Sequence, residues 1–246
     1  MISVCILTKN SAATLRETLE STRSFPEVLL LDNGSTDETF EIAGTYPNVQ
    51  IHKSPFIGFG PLRNLAAELA QNDWILALDS DEVLSPPLLK EIDQLLLDPE
   101  YAYRFPRHNY YNGKLIRGCG WDREETARLY HRAHGRFSEV QVHEILLAKQ
   151  FHGLKAPILH TPYRSTADFL AKMEHYSTLF AEEHKGKKPS SFGKALAHGM
   201  YAFFRSYFLK KGISCGAEGF IISLHNANTT FYKYLKLAET ENEPQR

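Results

Sequence analysis

The nine residues Trp74-Ile75-Leu76-Ala77-Leu78-Asp79-Ser80-Asp81-Glu82 constrain this chain more than any other stretch. A continuous apolar run of strand length is the pattern of a strand buried on both faces, so residues 75–78 should lie inside a sheet. The run ends in three acidic side chains, Asp79, Asp81 and Glu82, and a turn at Ser85-Pro86-Pro87 follows. Asp79 and Asp81 therefore fall at the carboxyl end of a buried strand, where open α/β sheets place their ligands. Two carboxylates one residue apart repel each other unless a cation or a proton lies between them. A hard divalent ion, Mg²⁺ or Mn²⁺, shared with substrate phosphates would satisfy both. A solvated acidic turn accounts for the tripeptide equally well, so the surrounding chain has to decide.

Before this stretch, strand and helix patterns alternate. Residues 3–8 read as a first strand ending in Lys9-Asn10-Ser11, and Ala12, Leu15 and Leu19 follow at helical spacing to about Thr22. Residues 27–32 read as a second strand, closed by Asn33-Gly34-Ser35-Thr36-Asp37, with Asp37 placed to cap the next helix. A short third strand at 49–52 precedes a helix opened by Gly58-Phe59-Gly60-Pro61 and carrying Arg63, Asn64, Leu65 and Leu69. This alternation over residues 1–97 predicts a doubly wound, mostly parallel sheet of the α/β class. Gly58-Phe59-Gly60 lacks a third glycine and does not follow the first strand, so it is no dinucleotide fingerprint.

From Tyr101 the pattern changes. Residues 101–105 and 114–116 flank a turn at Tyr111-Asn112-Gly113 and predict a hairpin, and β-like segments follow at 127–131, 140–143 and 158–160. After Thr166 the spacing is helical, with Phe169, Met173, Tyr176 and Phe180 on one face and Leu196, Met200, Phe203, Tyr207 and Phe208 on another. A third helix aligns Phe220, Leu224, Ala227, Phe231 and Leu235, and residues 241–246 read as a tail. The expected division is an α/β domain over 1–163, split at residue 100 into a ligand-binding half and an acceptor half, and a helical extension over 164–246.

Composition excludes some roles. A formal net charge of -1 provides no global field for nucleic acid. Cys5, Cys119 and Cys215 are scattered and odd in number, with no C-x-x-C pair, which predicts reduced thiols in a cytoplasmic protein. The N-terminus lacks the profile of a signal peptide, and no apolar run approaches the roughly 20 residues that cross a bilayer. Any membrane relation should be peripheral.

Taken in order, residues 3–10, the Asp32–Asp37 motif, residues 60–64 and Asp79-Ser80-Asp81 resemble the family 2 glycosyltransferases of the GT-A fold. The similarity covers about the first hundred residues. It implies a nucleoside-diphosphate sugar donor, with UDP-sugars favoured, and a divalent metal at the D-x-D. It implies further that Thr8, Asn10 and Asp32 hold the nucleoside, that Asp79 and Asp81 face the metal and the sugar diphosphate, and that Arg63 lies near them. A guanidinium is well shaped for a diphosphate, although a surface ion pair would explain Arg63 as readily. A turn with a helix cap would likewise explain Asp32.

The second half is similar to lipopolysaccharide core β-glycosyltransferases through Arg128-Leu129-Tyr130, Phe137, Val142-His143-Glu144 and Ile158-Leu159-His160. That resemblance implies a lipid-linked saccharide acceptor, the lipopolysaccharide inner core, with a polyprenyl-linked or other cell-surface glycan as the alternative and glucose as the sugar moved. Inverting transfer needs a base for the acceptor hydroxyl. Glu144 is the first candidate, with Asp122 and Glu124 in reserve. His143 is placed on the substrate and His160 on the metal or phosphate, neutral imidazole being a common ligand.

Two other functions fit parts of the pattern. Asp79-Ser80-Asp81-Glu82-Val83 also matches the D-x-D-x-[TV] of haloacid-dehalogenase-like phosphatases, but that motif belongs on a first strand, and here three βα units precede it. A nucleotide-sugar-binding module without catalysis would need Asp32 and Asp79 but not Glu144. Finally, no acidic residue occurs between Glu183 and Glu218, while Lys185, Lys187, Lys188, Lys194, Arg205, Lys210 and Lys211 are interleaved with aromatic residues. The charge asymmetry suits the inner face of an anionic membrane. The aromatic stripe is expected to pack inward, against the catalytic domain.

Overall fold

A computed structural model describes residues 1–122, 124–141 and 144–242, with side chains to residue 240. The chain forms two compact units, Met1–His108 with Glu124–His160, and Asn109–Arg123 with Thr161–Arg246. The segment 109–123, expected in the acceptor half, thus groups with the helices.

In the first unit β1 (Ile2–Thr8), α1 (Leu15–Ser21), β2 (Glu27–Asp32), α2 (Thr39–Ala43), β3 (Val49–Lys53), α3 (Phe59–Leu69) and β4 (Trp74–Asp79) alternate as expected. Strands β3, β2, β1 and β4 are parallel neighbours in that order. Alternate residues of β1, β2 and β4 serve opposite cores, which is why those runs are apolar, whereas β3 is a half-exposed edge strand. Val4, Ile6, Val28, Leu30, Leu76 and Leu78 pack with Leu15 and Leu19 of α1. Cys5, Leu7, Leu29, Leu31, Ile75 and Ala77 pack with Leu62 and Ala66 of α3.

The acidic stretch continues into β5 (Glu82–Leu84), and Ser85 caps α4 (Pro86–Asp93) by accepting from the Leu88 amide. The expected turn at Ser85-Pro86-Pro87 is therefore a helix start, where proline lacks only a hydrogen bond the first turn never makes. Next come β6 (Tyr101–Tyr111) and β7 (Lys114–Leu115), then β8 (Glu124–His131), β9 (Gly135–Phe137), β10 (Leu146–Ala148), β11 (Gln150–Gly153) and β12 (Ile158–His160). The order β3-β2-β1-β4-β8-β6-β12-β5 makes one mixed sheet, with β8 antiparallel to both β4 and β6. The added β region thus extends the parallel sheet. Strand β6 runs six residues beyond the expected Phe105, carried by pairing that local pattern does not encode.

Two local expectations are corrected. Helix α1 begins at Leu15, not Ala12, because Ser11 to Thr14 form a hydrogen-bonded turn first. The N-cap of α2 is Glu38, although the Asp37 carboxylate accepts from the amides of Thr39 and Ala12 and so joins two loops. Its hydrogen bonds, led by that from the Thr39 hydroxyl, hold the Asp37 carboxyl below its usual range.

The second unit holds the hairpin tip, whose Asn112 and Gly113 have φ of 52° and 72°, the positive pair that a tight hairpin turn requires. It also holds α5 (Thr166–His184), α6 (Phe192–Phe204), a π turn (Arg205–Leu209), a 3₁₀ turn (Gly212–Cys215) and α7 (Gly216–Asn242). Its core joins Tyr111, Ile116, Cys119, Phe169, Cys215 and Ile222. The expected helix faces hold only in part. Phe169 and Ala227 are buried, whereas Tyr176, Leu196, Met200, Phe208, Phe220 and Leu224 are exposed. All three cysteines are free and buried, and burial pushes the Cys5 thiol up to about 12.

Candidate active site

Strand β4 delivers Asp79 to the carboxyl edge of the sheet, and there its two oxygens are held by different guanidiniums. Arg63 Nη2, from α3, donates to Oδ1 at 2.5 Å, and Arg128 Nη2, from β8, donates to Oδ2 at 2.6 Å. The cations that relieve the D-x-D repulsion at Asp79 are thus the protein's own. Burial favours the neutral form of Asp79, but Arg128 and Arg63 outweigh it and hold the carboxyl well below the usual carboxylate range.

Glu82, the third acid of the stretch, has no solvent exposure. Its Oε2 accepts from the Asp79 amide at 3.0 Å, which fixes the turn between β4 and β5. Its Oε1 accepts from Arg128 at 2.8 Å and from Arg107 of β6 at 3.1 Å, and Arg107 continues to Glu124. At the other end Arg63 Nε donates to Glu144 Oε1 at 2.8 Å. Glu144, Arg63, Asp79, Arg128, Glu82, Arg107 and Glu124 therefore form one chain of alternating charge. Burial opposes the charged forms of Arg128 and Arg107, yet their carboxylate partners raise both above the usual guanidinium range.

Asp81 turns the other way. Strand β12 pairs antiparallel with β5, setting His160 opposite Glu82, and His160 Nε2 lies 3.5 Å from Asp81 Oδ2. A carboxylate and an imidazole side by side suit a divalent ion whose remaining positions are filled by water and phosphate. Among the described residues no cluster of three or more His, Cys, Asp or Glu side chains could hold a metal. Asp81 and His160 are the two side chains here that could contribute to such an ion, Asp79 being engaged by arginine.

At the ends of β1 and β2 a second cluster forms. The Asp32 carboxylate accepts from the amides of Gly34 (2.7 Å) and Ser35 (3.0 Å) and from the Ser35 hydroxyl, shaping the loop that follows. Asn10, at a φ of 51°, accepts from the Thr36 amide at 2.8 Å and so ties the two loops together. Beside them lies a cavity of about 310 Å³ lined by Asp32, Asn33, Gly34, Ser35, Phe40, Lys53, Ser54 and Pro55. Thr8 Oγ1 and Asn33 Nδ2 are buried without a protein partner, as are Arg63 Nη1, Arg107 Nε and Arg128 Nε. Buried polar groups are rarely left so unless a ligand or water meets them. Thr8 pairs with Asp32 in register while Leu7 pairs with Asp79, so the two clusters stand two strands apart, about 10 Å.

Glycosyl transferase family 2 matches residues 3–141, more than half of the chain. The chain belongs to glycosyl transferase family 2. The likeness continues past the matched region. An uncharacterized glycosyltransferase of Rickettsia bellii is 28% identical over 97% of this chain and 86% of its own. The Rhizobium meliloti protein named lipopolysaccharide core biosynthesis glycosyltransferase LpsC is 27% identical over 96% of this chain and 91% of its own. In fold, the glycosyltransferase is similar to S. aureus TarS 1-349 in complex with UDP-GlcNAc, with a TM-score of 0.50 and 17% identity over 98% of this chain and 91% of that one.

The structure thus brings Arg63, Asp79 and Glu144 into one cluster, Asp81 and His160 into another beside it, and Thr8, Asn10 and Asp32 into a third. Arg63 is not a surface ion pair but a buried one, and Glu144 is not an exposed carboxylate. His143 lies outside the described residues, as does Val142; Val140 and Gln141 of the same expected β segment are not in a strand. Asp122 is exposed in a turn of the other unit, and Glu124 is at the far end of the cluster. Sequence reasoning missed Arg107 and the organising role of Glu82 in this enzyme, and singled out Arg128 only as part of a matched motif, without its pairing to Asp79 and Glu82. Only the burial of so many opposite charges in one place reveals them, and that needs the strand order. It also missed Phe40 and Lys53 of the cavity, where the Lys53 ammonium lies 4.5 Å from the Phe40 ring centre.

Gly60 acquires a structural reason in the glycosyltransferase. Its amide donates to Val140 O at 3.3 Å, and a Cβ there would stand 1.8 Å from Ser138 O, so only glycine lets residues 138–141 lie against α3. Gly60→Ala should therefore destabilise the first unit by about 1–3 kcal/mol, the usual cost of overpacking, and lower turnover more than donor affinity. Urea denaturation and steady-state kinetics check both.

Proposed function

We propose that this glycosyltransferase moves a sugar, glucose in our reading, from a UDP-sugar to a lipid-linked saccharide, with inversion and with a divalent metal. The observation that supports it is the pair of clusters at the carboxyl edge of one parallel sheet, a cavity at Asp32 and an acidic turn at Asp79 to Asp81 held by arginines, about 10 Å apart. The cavity would take the nucleoside, with the partnerless Thr8 hydroxyl and Asn33 amide completing its hydrogen bonds. Asp81 and His160 would hold the metal, which when bound would supply positive charge to the diphosphate. Arg63 and Arg128 present further cationic N–H groups beside it. The acceptor hydroxyl gives its proton to Glu144 as its oxygen bonds to C1, and the bond from C1 to the diphosphate oxygen breaks with both electrons leaving on the diphosphate. The similarity to LpsC supports the lipopolysaccharide core as acceptor. We place the enzyme at the cytoplasmic face of the membrane, as a peripheral protein.

The test is donor hydrolysis and binding across UDP-, GDP- and ADP-sugars with Mn²⁺, Mg²⁺ or chelator. Activity should need the metal and favour UDP. Asp81→Asn and His160→Ala should each weaken Mn²⁺ binding by at least the roughly 10–100-fold that loss of a partner behind a metal ligand costs. Activity that survives chelation unchanged would remove the metal from this reading.

A further inference from the structure

We propose that the outward face of α6, continued through the π turn that follows it, is the surface by which this protein seats itself on an anionic lipid membrane. The proposal deepens the lipid-linked acceptor reading and rests on it for its purpose, not for its physical argument. At 100° per residue, Ala195, Gly199, Ala202 and Ser206 form a narrow stripe of small side chains. Three of them are buried, and Gly199 lies against Phe231 of α7. The far side of the helix carries Leu196, Met200, Tyr201, Phe204 and Phe208, all exposed, with Met200 at 66%, while Phe192, 64% exposed, meets Phe231 of α7 edge to face. Within Phe192–Phe204 the polar side chains are Lys194 and His198, and His198 stacks on Tyr234. A helix apolar nearly all round belongs in a core or in lipid, not in water. Of the aromatic residues here, Phe203 and Tyr207 are half-buried against Phe220 of α7, whereas Tyr201, Phe204 and Phe208 face out.

Charge selects the occupant. Lys194 and Arg205 border this face, Lys187, Lys188 and Lys211 precede or follow it in the chain with Lys188 donating to the Tyr234 hydroxyl, all five are exposed, and no carboxylate occurs from residue 184 to residue 217. A second copy of this chain would bring the same positive charge against itself. An anionic bilayer presents the opposite charge and accepts large apolar side chains at the level of its headgroups. Among the described residues no helix is long and apolar enough to cross a membrane, so the fit is to a surface and not a span. Exposed apolar patches of this kind on a soluble chain mark such contacts.

The experiment is flotation of the full chain with vesicles of phosphatidylcholine alone or mixed with phosphatidylglycerol. The protein should float with the mixed vesicles, far less with the neutral ones, and less as salt rises. Met200→Glu, on an exposed position where folding is unaffected, should weaken partitioning by about tenfold or more, the loss expected when one large apolar side chain no longer enters the lipid. The double variant Arg205→Glu with Lys211→Glu should abolish the preference for phosphatidylglycerol. No flotation of the native chain, or equal flotation of Met200→Glu, overturns the proposal. So does sedimentation showing a native dimer that Met200→Glu converts to monomer, which would make a second copy the occupant. Hydrolysis of the donor in solution should be the same for the native chain and Met200→Glu. A protein that binds vesicles as described but transfers no sugar to a lipid-linked acceptor would refute the acceptor reading and leave the surface standing.

Discussion

Glu144→Gln should lower turnover by about a thousandfold, the middle of the range that a positioned general base contributes, with donor affinity nearly unchanged. The separation of the two effects follows from the geometry. Glu144 meets the site through one oxygen, Oε1, which accepts from Arg63 Nε, and Gln keeps an acceptor of the same shape at that position. What Gln removes is the negative charge that takes the acceptor proton, and that loss is felt only as the acceptor oxygen attacks. The donor contacts proposed for Asp32, Asn33, Arg63 and Arg128 do not pass through it. Steady-state kinetics with saturating acceptor, together with donor titration by calorimetry, check the pair of outcomes. A fall in donor affinity equal to the fall in turnover would make Glu144 a binding residue. Unchanged turnover would pass the role of base to Glu124, which sits at the other end of the same chain of charges.

That Glu144 and Glu124 share one network shows what a one-dimensional reading can and cannot reach. The parallel half of the fold was readable because β1, β2 and β4 are apolar on both faces and end in polar residues: β2 ends at Asp32 and β4 at Asp79, as expected. Helical periodicity likewise marked α5 to α7. What the order of residues does not carry is which strands become neighbours. His160 reaches Asp81 only because β12 pairs with β5, and Arg128 reaches Asp79 only because β8 lies beside β4. Reading Asp79 and Asp81 as one metal pair followed from their spacing, yet the neighbours separate them, two arginines on one side and a histidine on the other. On α6, Gly199 and Ala195 leave room for α7 to approach, so Phe203 and Tyr207 meet Phe220 of α7 while Tyr201, Phe204 and Phe208 stay exposed.

Arg128→Ala should cost about 3–5 kcal/mol of stability at neutral pH, the scale for removing one partner of a buried ion pair. Arg128 is almost wholly buried and holds Asp79 Oδ2 and Glu82 Oε1 together. Without it those two carboxylates face each other across a cavity, each keeping only its other arginine, Arg63 or Arg107. The dependence on pH distinguishes this from simple loss of packing. Asp79 is held below its ordinary range in the folded protein, so its ion pairs add stability that is complete above the unfolded value of about 3.9 and declines as pH falls from there toward the folded value. The native chain should therefore lose stability on its acid side below about pH 4. In Arg128→Ala the Asp79 pKa rises toward the unfolded value, so that acid-side loss shrinks and the gap between native and variant narrows. Urea denaturation at neutral pH and at successive steps below pH 4 measures both quantities. A cost under about 1 kcal/mol that does not vary with pH would mean that water screens these pairs as it does on a surface. The arginines would then have no claim to organise the acidic turn on which the donor site is built.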